Sequence, residues 1–129
     1  MRVLDAGVVV ELLVGGLDPA RLGDEELAVP HLLDSEVMSV LRRLVQRGLL
    51  SDHQAAVALG AFDDLVLLRY PALQLRARMW QLRHAVSAYD ATYVALAETL
   101  GATSLITTDA RLSRAIGPAL PVEVLERAT

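Results

Sequence analysis

No apolar run in this chain is long, and nearly every one is closed by an acid, a proline or a glycine. Such a chain must assemble its core from short buried segments. Val3-Leu4 runs into Asp5-Ala6-Gly7, Leu27-Ala28-Val29 stops at Pro30, and Leu67 to Tyr70 precedes Pro71. Ala102 to Ile106 leads into Thr107-Thr108-Asp109, and Val122 to Leu125 is the last run. Short apolar runs without strict alternation suit strands buried on both faces, as in parallel sheets. Between them lie segments of helical period. Strands alternating with helices predict an α/β/α sandwich around a central, mainly parallel sheet, with the last strand at an edge. The length suits one domain over residues 1–129.

Composition narrows the chemistry. Hydrophobic residues make up 53% of the chain and mean hydropathy is +0.40, yet charges cut every run short of the ~20 residues that span a bilayer. Asp5 and Glu11 interrupt what could have been a signal-peptide core. The expectation is a soluble, cytoplasmic protein with no membrane partner. The absence of cysteine removes disulfides, zinc knuckles and thiol nucleophiles. All basic residues are arginine, so Walker-lysine and Schiff-base chemistry are excluded as well. A net charge of −4 argues against a protein that coats nucleic acid, though not against one that grips it through a local arginine patch.

The helices can be placed from their stripes and stops. Val8 to Val14, ended by Gly15-Gly16, reads as a short buried helix, and Asp18 to Glu26 as a polar loop or short helix. From His31 to Arg47, residues Leu33, Val37, Val40, Leu41, Leu44 and Val45 form one apolar arc. Ser51-Asp52-His53-Gln54 is a capping box opening a helix with the stripe Ala55, Ala58, Leu59, Phe62, Leu65 and Val66. The next helix, to about His84, buries Leu75, Met79 and Leu82 and presents Arg76, Trp80 and Arg83 on another face. A tryptophan between arginines could stack on nucleotide bases, or could be a half-buried ring with snorkelling neighbours. A helix over Asp90 to Leu100, stopped by Gly101, carries Tyr93, Val94 and Ala97 on the face of Asp90. Ala110 to Ile116 is the last short helix before Gly117-Pro118.

Four acids stand where such a fold could gather them. In an open parallel sheet, ligands bind beyond the carboxyl ends of the strands, near the point where strand order reverses. Asp5 and Asp109 close two strands, while Glu36 and Asp90 lie near the starts of helices. Three of them have a plainer rival reading. Asp90 completes the S-x-x-D spacing of a capping box with Ser87, Asp109 can cap the helix from Ala110, and Asp34 competes with Glu36. Gathered together, the carboxylates repel by roughly 4 kcal/mol per pair at ~4 Å and an effective dielectric of 20. A divalent cation relieves this, and an all-oxygen site suits Mg²⁺ or Mn²⁺ rather than zinc. Such a site suits phosphodiester hydrolysis, with Arg43, Arg47, Arg76 and Arg83 available to hold phosphates.

The segments VLDAGVVVELL, HLLDSEVMSVLRRL, SAYDATYVALAETLGA and LITTDARLSRAIG resemble the PIN-domain family, and within it the VapC-type ribonuclease toxins of toxin–antitoxin pairs. The resemblance covers nearly the whole chain. It implies that Asp5, Glu36, Asp90 and Asp109 are the metal-binding acids, with Thr108 a hydroxyl supporting them from behind. It further implies a metal-dependent endoribonuclease, a homodimer, and inhibition by a cognate antitoxin. One position departs from the family pattern: Gly7 stands where Ser or Thr is usual, two residues after the first aspartate. That departure motivates a second reading, a catalytically impaired PIN domain that binds antitoxin or RNA without cutting.

Overall fold

The structure, a computed structural model, describes residues 1–126. Five strands form one sheet: β1 (Arg2–Leu4), β2 (Leu27–Pro30), β3 (Leu68–Tyr70), β4 (Ser104–Thr107) and β5 (Val122–Val124). Their spatial order is β3-β2-β1-β4-β5 and every pairing is parallel. The expected mainly parallel sheet is therefore wholly parallel, with β5 at an edge as read from the sequence. Pro30 is tolerated because it closes β2, where a missing amide costs no ladder bond.

Six α-helices connect the strands: α1 (Ala6–Leu13), α2 (Leu32–Gln46), α3 (Asp52–Asp64), α4 (Arg76–Gln81), α5 (Ala88–Leu100) and α6 (Ala110–Ile116). Parallel strands need crossovers, and crossovers are right-handed. Stepping from β1 to β2 to β3 thus sends α1, α2 and α3 to one face. The return from β3 to β4 and on to β5 sends α4, α5 and α6 to the other. Contacts agree: α1 packs on α2 and α3, while α5 packs on α4 and crosses β1, β2 and β4. Strand order reverses between β1 and β4.

Both faces of the sheet are dry, which is why its strands read as unbroken apolar runs. Val3, Leu4, Ala28, Val29, Leu105 and Ile106 are all fully buried. So are Val8 and Val9 of α1 and Val94, Ala95 and Ala97 of α5, and each large one contributes roughly 1.5–3 kcal/mol by leaving water. Helix α5 is nearly encircled by protein from Ala91 to Ala97, so its sequence carries no clean polar stripe.

Two helices differ from expectation. The segment read as one helix to His84 divides into a 3₁₀ turn, Leu73–Leu75, and the single short α4, although Leu75 and Leu82 are buried as expected. In α3 the expected stripe is only half used. Ala58 and Phe62 are buried, but the helix ends at Asp64, leaving Val66 88% exposed beyond it. The Ser51–Gln54 capping box is fully made, with reciprocal bonds of 3.0 and 2.8 Å.

Candidate functional site

Asp5 follows β1 directly and becomes the N-cap of α1. Its Oδ1 accepts the Val8 amide at 3.0 Å. Its Oδ2 accepts a short hydrogen bond from the hydroxyl of Thr107, the last residue of β4. The same Thr107 oxygen accepts the Asp109 amide at 3.0 Å. One buried hydroxyl thus ties the ends of the two strands flanking the reversal of strand order, and ties Asp5 to the backbone that carries Asp109. Thr107 was missed in the sequence reading, which favoured its neighbour. The available signal was that Thr107 belongs to a strand buried on both faces, where a hydroxyl must find a partner, whereas Thr108 lies beyond it.

Glu36 and Asp90 come to this point from opposite helical layers. Glu36 sits in the second turn of α2, and its Oε1 accepts a 2.6 Å bond from the Tyr93 hydroxyl on α5. Asp90 occupies the first turn of α5, where its amide bonds to Ser87 Oγ at 3.1 Å. The capping box is half made: the Asp90 carboxylate sends no bond back to the Ser87 amide. Its carboxylate is therefore not held by the Ser87 amide, although the Ser87 hydroxyl acts on it. Asp34, the competitor of Glu36, is held elsewhere by a bidentate pair to Arg69 at 2.9 and 3.0 Å.

The charges of these acids feel one another. Burial pushes Asp5 up to about 6, against the pull of Thr107 and the Val8 amide, and repulsion from Asp90 and Glu36 adds to the rise. Burial also raises Glu36, with Asp90 adding and the Tyr93 hydroxyl opposing. Asp90 is raised by burial and by Asp109, with Ser87 and Arg111 pulling the other way. Tyr93 is driven far above its ordinary range by burial, by its bond to Glu36 and by the surrounding carboxylates. Among the described residues, Asp5, Glu36 and Asp90 form no ion pair. The cluster is a set of acids without a fixed cation.

Asp109 is the outer member. It caps α6 through the Arg111 amide at 2.9 Å, and the Arg111 guanidinium lies 3.3 Å from its Oδ1. Burial works against the charged form, but these Arg111 contacts outweigh it and hold Asp109 below its usual range. Asp90, Asp109 and Arg111 share one surface cleft with Ser87. Glu36 opens into a neighbouring depression lined by Ser35, Ser39, Arg43 and Tyr89. Among the described residues no three acids or histidines converge into a ready-made metal cage.

The arginines divide. Arg43 lines the depression of Glu36. Arg76 and Arg83 border a third hollow with Trp80 and Ser87, and Arg83 stacks over the Trp80 ring at 4.6 Å from its centroid. Arg47 lies about three turns (~16 Å) along α2 from Glu36. Arg111, which the sequence reading passed over, is nearest the acids and 84% exposed.

The PIN-domain family model matches residues 2–117. The chain belongs to the PIN-domain family. It is 42% identical to VapC ribonuclease Mb0985 of Mycobacterium bovis over 128 residues, covering 98% of this chain and 100% of that protein. It is 44% identical to ribonuclease VapC1 of Mycobacterium tuberculosis, covering 95% and 94%. Two solved structures share the fold. PAE2754 from Pyrobaculum aerophilum superposes with a TM-score of 0.70 at 24% identity, over 95% of this chain and 83% of that one. Mycobacterium tuberculosis VapC20, described as a toxin that cleaves the sarcin-ricin loop, superposes with a TM-score of 0.63 at 17% identity, over 94% and 99%.

Proposed function

We propose that this chain is a VapC-type endoribonuclease, the toxin of a toxin–antitoxin pair, which hydrolyses RNA phosphodiester bonds at a Mg²⁺- or Mn²⁺-dependent site. The observation that supports the reading is that Asp5, Glu36 and Asp90, carried by three different helices, lie near enough for Asp90 to raise both Asp5 and Glu36, while none of the three is paired with an arginine among the described residues. Full-length similarity to VapC ribonucleases supports the choice of RNA as substrate. The working protein is a cytoplasmic homodimer, silenced by a cognate antitoxin. No helix among the described residues is long and apolar enough to cross a membrane.

The donor set fits the ion. All four side chains offer hard oxygen ligands, and Mg²⁺ keeps several of its waters while binding one or two carboxylates, so a preformed three-acid cage is not required. Asp5 and Asp90 would hold it, with Glu36 and Asp109 as the further acids of the set. When bound, the ion would supply charge to a scissile phosphate and lower the pKa of water. The rest falls to the chain. Thr107 keeps the Asp5 carboxylate in one orientation, and Tyr93 does the same for Glu36. Arg111 and Arg43, at the mouths of the two depressions, are placed to draw phosphate towards the acids.

The test is cleavage of RNA by antitoxin-free protein in Mg²⁺ or Mn²⁺, beside Asp90→Asn prepared identically and beside EDTA. Cleavage by the wild type alone, abolished by EDTA, is the expected result. Equal cleavage by the variant, or none by either across varied RNAs, would overturn the enzyme reading in favour of a binding module.

A further inference from the structure

Gly7 and Thr108 are complementary in a way neither shows alone. Gly7 lies in the first turn of α1, two residues after Asp5, and its backbone does not adopt the left-handed conformation that would require glycine. What glycine leaves open here is space beside a side chain. A Cβ at residue 7 would stand 2.8 Å from Thr108 Oγ1, inside any ordinary contact, and 3.5 Å from Asp5 Oδ1. The region over the Asp5 carboxylate therefore holds one side chain, and the fold gives it to Thr108. Asp5 Oδ2 already has its hydroxyl in Thr107, and Thr108, half-buried at the start of the loop to α6, makes no hydrogen bond of its own among the described residues.

We infer that Thr108 is a positioning residue for the cation: its hydroxyl, admitted by the missing side chain of Gly7, fixes the hydration shell of a divalent ion held by Asp5. This rests on the acidic cluster being a metal site and deepens that reading. Gly7 is then no defect. It is the vacancy through which residue 108 delivers a hydroxyl that residue 7 does not supply. A hydroxyl acting behind a metal ligand alters metal affinity by about 10- to 100-fold when removed.

The test is Mn²⁺ binding by titration calorimetry and by shift of Tm, without RNA, in full-length protein. Thr108→Val should bind Mn²⁺ about 10- to 100-fold more weakly with an unchanged metal-free Tm, and Thr108→Ser should bind as the wild type does. Gly7→Ala is the sharper variant. It introduces no polar atom and improves helix propensity, so its metal-free Tm should hold or rise. It should nevertheless weaken Mn²⁺ binding by displacing the Thr108 hydroxyl, and should add nothing in a Thr108→Val background. Asp90→Asn is the control. If Asp90→Asn loses Mn²⁺ binding while Thr108→Val and Gly7→Ala bind as the wild type does, the role of Thr108 is overturned and the acidic site stands. If Asp90→Asn itself binds normally, the metal-site reading fails and this inference fails with it.

Discussion

The hydroxyl of Tyr93 on α5 donates a 2.6 Å hydrogen bond to Oε1 of Glu36 on α2, joining the two helical layers across the carboxyl end of the sheet. Tyr93 is 2% exposed and Glu36 lies at the surface end of the contact, so the bond fixes a mobile carboxylate to an immobile ring. Tyr93→Phe keeps the ring and removes the bond. A hydrogen bond to a charged group contributes about 1.5–3 kcal/mol. The expected result is a Tm lower by several degrees, and a Glu36 carboxyl that titrates at still higher pH, because the one neighbour lowering its pKa is gone. Carboxyl-carbon NMR titration of the variant checks the second point.

The metal-free protein should be more stable near pH 5 than near pH 8. Asp5 is raised from 3.8 to about 6, and Asp90 and Glu36 are raised as well. A carboxyl raised on folding binds its proton more tightly in the native state, so stability falls as pH climbs from the unfolded value through the folded one. For Asp5 alone that is about 3 kcal/mol, at 1.36 kcal/mol per pKa unit. Below pH 4 the sign reverses. Glu25, held down to about 2 by the terminal ammonium, Thr103 and Arg2, loses its contribution as it protonates. Thermal melts from pH 3 to 9 in EDTA should therefore pass through a maximum at mildly acidic pH, and Asp90→Asn should flatten the alkaline limb.

Glu36 and Asp34 stand two positions apart and keep different partners, Tyr93 and Arg69. Asp34→Asn breaks an exposed pair with Arg69, of a kind that contributes about 0–1 kcal/mol, and should leave RNA cleavage intact. Glu36→Gln should lower cleavage at least 100-fold with little change in Tm. Parallel kinetics of the two variants test the assignment, and an active Glu36→Gln would refute it.

Arg111 holds Asp109 ionised and lowers Asp90 at the same time. Arg111→Gln removes the cation but keeps the helix cap, whose donor is the backbone amide. Metal binding should tighten, since no guanidinium then competes for Asp109. RNA affinity should fall, and the slope of log affinity against log salt should shrink by about one phosphate contact. RNA binding measured in an Asp90→Asn background at several salt concentrations, beside Mn²⁺ titration of Arg111→Gln alone, separates the two effects.

Much of this was legible beforehand because the signals were local. Short apolar runs closed by Asp5 or Pro30 mark strand ends, Gly101 marks a helix end with its left-handed φ of 59°, and Ser51 and Gln54 mark a cap. The four acids could be named because each sits one or two turns from such a boundary. What could not be read depends on pairs far apart in sequence. The Thr107–Asp5 bond spans 102 residues and the Tyr93–Glu36 bond 57, and no periodicity carries that information. Helix phase and the family resemblance together favour Glu36 over Asp34, but only Arg69 arriving on β3 shows where Asp34 spends its charge. The splitting of the helix before His84 reflects tertiary contacts that override a propensity adequate for a longer one.

Because β1 lies at the centre of the sheet and pairs with β4 about a hundred residues later, the floor of the acidic cluster closes only when both ends of the chain meet. A segment that stops short of residue 107 contains Asp5, Glu36 and Asp90, yet it has no Thr107 to orient Asp5. Such a segment cannot complete the cluster, which forms only once β4 has paired with β1. The order of the strands thus makes the acidic cluster one of the last features of the fold to be completed.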